Sequence, residues 1–97
     1  MNKKVEVDEC EITEVTNLKG KLIERGGETS DRTLIIRGKA YRDAKVTIED
    51  DFLTRAEVRS DPTGNWNVTL ENLPEGERYF EAVVDGKRSK SWIVFIV

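Results

Sequence analysis

The chain contains no histidine, one cysteine and two prolines among 97 residues, and each shortage removes a class of function. Without histidine, Ser-His-Asp and Cys-His catalysis are excluded, and so are the common zinc, haem and blue-copper ligand sets. Oxygen ligands remain, which leaves calcium open. A lone cysteine makes no intrachain disulfide, so the bridge joining the two sheets of antibody-type domains is excluded. Cys10 lies between Glu9 and Glu11, whose negative charge opposes thiolate formation. The expectation is an inert, half-buried thiol. Long apolar runs are missing too: the longest, Trp92 to Val97, is too short to cross a bilayer, and no apolar stretch follows Met1-Asn2-Lys3-Lys4 as a signal peptide would require. Beyond one possible short turn, helical periodicity is absent.

What is present fits one domain. Ninety-seven residues can close a single hydrophobic core without disulfide support. Sixteen Lys+Arg against nineteen Asp+Glu give a net charge of -3, with both signs dispersed. That pattern describes a mixed-charge soluble surface and argues against nucleic-acid binding, which needs clustered cations to displace counterions from phosphates.

The segment 1–9 is charged and weakly patterned and reads as a linker or frayed lead-in, leaving 10–97 as the domain. A short alternating strand spans Ile12-Thr13-Glu14-Val15, beginning near Cys10 and briefly continued by Lys21-Leu22-Ile23. Residues 24–31, with the only Gly-Gly pair, read as a flexible polar loop. Residues 33–40 form a better strand with Leu34, Ile36 and Gly38 on one face, the glycine implying close backbone approach or a bend. Alternation then places Val46 and Ile48, Ala56 and Val58, Trp66, Val68 and Leu70, and Phe80, Ala82 and Val84 on inward faces. Residues 50–54 read as a connection. Asp61-Pro62-Thr63-Gly64-Asn65 is a turn delivering Trp66 into a strand, with Asp61 as its cap. Asp85-Gly86 is a hairpin signal, because both residues accept positive φ. The last strand, 91–97, is apolar at nearly every position and is expected to be covered on both sides. Val97 ends the chain inside that strand, which suggests a module of a longer protein. About seven strands with turn chemistry between them read as an all-β antiparallel sandwich.

Taken in order, Gly38-Lys39-Ala40, Ala44-Lys45-Val46-Thr47-Ile48, Gly64-Asn65-Trp66 and the run Leu73-Pro74-Glu75-Gly76-Glu77-Arg78-Tyr79-Phe80-Glu81-Ala82 resemble the bacterial Ig-like domains repeated in surface adhesins and biofilm-associated proteins. The resemblance covers about two-thirds of the chain. It implies an Ig-like Greek-key β-sandwich of about seven antiparallel strands. It also implies a non-enzymatic stalk or presentation module of an exported or cell-surface protein, in contact with neighbouring domains of its parent chain and monomeric when isolated. A host or matrix protein or a glycan is a further expected partner; nucleic acid and membrane insertion are not. Where such repeats often carry paired acids and a proline, this chain has Ser30-Asp31-Arg32-Thr33-Leu34, which argues against a calcium-stiffened stalk.

Each candidate site has a plainer alternative. By resemblance, Asp31, Asp50, Asp51 and Asp61 are calcium candidates, although EF-hand spacing is missing and solvated turn residues would look the same. An acidic patch at Asp8, Glu9, Glu11 and Glu14 and a basic hairpin tip at Lys87, Arg88 and Lys90 can meet head to tail in an array; the basic tip equally guards strand edges against pairing. Trp66, Trp92, Tyr41, Tyr79 and Phe52 offer a stacking platform for sugar, which would make the chain a ligand-binding module for carbohydrate or protein through an end loop or exposed sheet face. Alternation places Trp66 in the core instead. For catalysis only paired carboxylates remain, and nothing in the spacing sets two across a cleft.

Overall fold

The computed structural model describes residues 10–97; the expected lead-in over 1–9 lies outside them. The described residues form nine strands and no helix: β1 (Glu11–Thr16), β2 (Gly27–Thr29), β3 (Leu34–Lys39), β4 (Lys45–Asp50), β5 (Leu53–Arg59), β6 (Asn65–Leu70), β7 (Gly76–Val84), β8 (Lys87–Arg88) and β9 (Trp92–Ile96). They make a three-stranded sheet ordered β1-β3-β6 and a larger sheet ordered β2-β9-β7-β4-β5, with β8 against β7. Each pairing is antiparallel except β2 with β9, which run parallel. The two strands beyond the expected seven are β2 and β8. β2 lies inside the stretch read as a polar loop, and its three residues, Gly27, Glu28 and Thr29, are too few and too polar to show a period. Only the distant β9 gives β2 its ladder.

Side-chain alternation places the core where the sequence pattern puts it. Ile12, Val15, Leu34, Ile36, Trp66 and Leu70 from the small sheet meet Val46, Ile48, Phe80, Ala82, Val84, Val94 and Ile96 from the larger one in a single buried cluster. Each large apolar side chain so buried contributes about 1.5–3 kcal/mol. Ala56, Val58 and Val68 are only partly buried, because β5 and β6 are edge strands.

Gly38 shows why the small sheet needs a glycine. It pairs directly with Trp66 on one side and Ile12 on the other. A Cβ there would overlap the Glu11 carbonyl oxygen and lie 2.6 Å from Trp66 Cε2. The indole therefore fills the space that a side chain would take, and Trp66 is 3% exposed.

The last strand departs from expectation. Trp92, Val94 and Ile96 are buried, whereas Phe95 is 39% and Val97 61% exposed. Only the inward side of β9 is covered among the described residues. An uninterrupted apolar run carries no period, so it could not tell a strand packed on both faces from one with an apolar outer face.

Candidate functional site: the outer face of the larger sheet

The four calcium candidates occupy four different settings. Asp31 accepts from the Asn17 side-chain amide at 3.1 Å and the Thr29 hydroxyl at 3.3 Å. Asp61 Oδ1 accepts from the Thr63 N–H, the Thr63 hydroxyl and the Asn65 N–H at 2.8–2.9 Å, closing the turn with Gly64 at φ 87°. The Thr63 hydroxyl first, then the Asn65 N–H, holds the Asp61 carboxyl below the usual carboxylate range. Asp51 is an exposed turn residue. Among the described residues, no three acidic or cysteine side chains gather into a group able to hold a metal ion.

Asp50 is different in kind. It ends β4 with 1% of its surface exposed and accepts from Arg78 at 3.0 Å, Arg55 at 3.3 Å and the Tyr79 N–H at 2.9 Å. A register shift between β4 and β5 beside Ile48 and Glu49 leaves Arg55 as the extra residue, pointed at Asp50. Sequence reading missed this buried ion cluster by taking residues 50–54 as a connection. The signal was there: continuing the Val46, Ile48 alternation lands Asp50 on the inward face.

The turn after Asp50 places an aromatic ring outside. Asp51 and Phe52 both adopt positive φ, 53° and 70°, a conformation rare for a bulky residue. Phe52 is 61% exposed, with its ring centroid 6.1 Å from that of Tyr79. The Arg88 guanidinium lies 4.9 Å from the Phe52 ring centroid. The same guanidinium donates to Glu49 at 2.7 Å and Glu81 at 2.9 Å. Glu49 and Glu81 are direct cross-strand partners, a like-charged pair that would repel without the cation between them. The Glu49 hydrogen bond, with Glu81 adding to it, raises the Arg88 pKa above its ordinary value.

Register extends this face toward the other end of the sheet. Tyr79 pairs with Ile93, and Phe95 sits between Glu77 of β7 and Glu28 of β2. The opposite face of the molecule is more polar: around the half-buried Ile35, the small sheet shows Thr13, Arg37, Lys39, Asn65, Asn67 and Thr69 to solvent.

The other aromatic candidates are occupied. Trp92 is 9% exposed, donates its indole N–H to the Ile23 carbonyl at 3.1 Å, and is covered by Arg25 at 4.2 Å. Tyr41 is half-buried and donates its hydroxyl to Asp85 at 2.7 Å, a bond that raises the phenol pKa. Of the expected head-to-tail patches, Asp8 and Glu9 lie outside the described residues, Glu14 pairs with Arg37, and Arg88 is committed to the sheet. The Asp85-Gly86 hairpin forms as expected, with φ of 52° and 80°. Cys10 is buried and donates to the Ala82 carbonyl at 3.3 Å.

No model of a known family, no characterised protein and no solved structure matches this chain.

Proposed function

We propose that this domain is a non-enzymatic spacer or presentation module with an Ig-like Greek-key sandwich, working within a larger exported or surface protein. The observation that carries the reading is the path of the chain. Cys10 sits against Ala82 and Lys87, at the β7–β8 hairpin. Val97 bonds the Thr29 carbonyl at 2.9 Å, beyond the Gly76–Ile96 pair at the opposite end of β7. The stretch of β7 from Gly76 to Ala82 separates the two, about 20 Å at ~3.3 Å per residue. Domains joined at both ends of such a unit would line up along its length.

Supporting the Greek-key assignment is the way the chain changes sheets, from β1 to β2, β2 to β3, β3 to β4, β5 to β6 and β6 to β7. Supporting a non-enzymatic role, the directly cross-strand carboxylates Glu49 and Glu81 share one guanidinium. Small-angle scattering of two copies joined in tandem tests the reading. The expected particle is extended, with a maximum dimension close to twice that of a single copy. A compact side-by-side pair would overturn it.

A further inference from the structure

The outer face of the larger sheet carries two pairs of carboxylates beside an aromatic ring, and only one pair has its cation. At one end, Glu49 and Glu81 are bridged by Arg88, whose guanidinium also lies over Phe52 at 4.9 Å. At the other, Glu28 and Glu77 flank Phe95 on its two neighbouring strands, their Cα atoms about 10 Å apart at ~4.8 Å per strand. Both glutamates are exposed, Phe95 is 39% exposed, and no cation pairs with either acid among the described residues. The register explains the difference. β8 delivers Arg88 opposite Val83, within reach of Glu81 and Glu49, and supplies nothing to the Gly76 end of β7.

We infer that the Glu28–Phe95–Glu77 row is a docking site for an arginine side chain of a partner protein. Arg88 shows related chemistry within the same sheet: its guanidinium lies over a ring while Nη1 donates to carboxylates on two adjacent strands. A guanidinium suits this better than an ammonium, because its flat face packs on the aromatic and its donors diverge in one plane. The half-buried Ile93 and Tyr79 beside the row give an apolar neighbour of that arginine a place to pack. This site is independent of the spacer reading: an extended tandem particle that fails to bind arginine, or the reverse, separates the two.

The test titrates the isotope-labelled full chain with the blocked peptide acetyl-Arg-Val-Arg-amide, and with its lysine and citrulline analogues, following backbone amide shifts. The expected result is saturable shifts confined to residues 27–29, 76–79 and 93–96, strongest for arginine, absent for citrulline and weakened by salt. Glu28→Gln with Glu77→Gln weakens binding roughly tenfold, the combined scale of two exposed charge-assisted contacts. Phe95→Ser weakens it independently when measured below its own unfolding midpoint, and the glutamine variant keeps the parent midpoint because Glu28 and Glu77 are exposed. Shifts centred elsewhere, an equal response to citrulline, or unchanged affinity in the glutamine variant would overturn the proposal. So would shifts at these residues that grow with protein concentration in the absence of peptide, since a second copy would then be the occupant.

Discussion

Replacing Asp50 with alanine removes the acceptor shared by Arg78, Arg55 and the Tyr79 N–H. The carboxylate is 1% exposed, whereas the arginine side chains retain 18% and 29% of their exposure. Removing one partner of a fully buried ion pair costs about 3–5 kcal/mol. Here solvent reaches both cations and recovers part of that cost, but the Tyr79 N–H loses its acceptor, worth about 1–3 kcal/mol when buried. Among the described residues, the buried Arg78 Nε already has no partner. The expected loss is about 3 kcal/mol, or about 12–24 °C in unfolding midpoint for a domain of this size. Chemical denaturation and calorimetry of Asp50→Ala measure it. Asp50→Asn keeps an acceptor for the Tyr79 N–H and should lose less. In an Arg55→Met, Arg78→Met background the alanine substitution should cost little, since no uncompensated cation is left behind. A loss below about 1 kcal/mol in the parent, or an undiminished loss in the methionine background, would refute the argument that the cations create the penalty.

Gly38→Ala should destabilise by about 3 kcal/mol, the upper part of the range for overpacking, and change the fluorescence of buried Trp66, because the added Cβ meets backbone on one side and indole on the other; unchanged stability and emission would show that the strands separate freely. The Asp61 carboxyl is held low in the folded state. Its contribution to stability is therefore fully present above the unfolded carboxyl pKa and is lost as pH falls through the folded value. Asp61→Asn should flatten that part of the acid limb, and an ordinary Asp61 titration by NMR would contradict it. Unfolding midpoints in calcium and in chelator should coincide, since Asp31, Asp50, Asp51 and Asp61 do not gather into a metal-holding group. A calcium-dependent rise would restore those carboxylates as ligands.

Local pattern alone was enough for much of this molecule. The absence of histidine and of a second cysteine by itself excludes whole chemistries. The alternation of Leu34, Ile36 and Gly38, of Val46 and Ile48, and of Phe80, Ala82 and Val84 named inward faces that are buried in the structure. Turn residues located the Asp61 and Asp85 reversals. Those features repeat over two to six residues and are set by sterics near the chain. Tertiary structure decided what depends on a partner strand. β2 exists because β9 supplies its hydrogen bonds, Asp50 is buried because a register shift brings Arg55 and β7 brings Arg78, and Phe95 faces solvent because nothing covers the outside of β9 among the described residues. The two carboxylate pairs were invisible for the same reason. Glu49 with Glu81, and Glu28 with Glu77, are far apart in sequence, and only sheet order and register place each pair beside an aromatic ring and one of them beside Arg88.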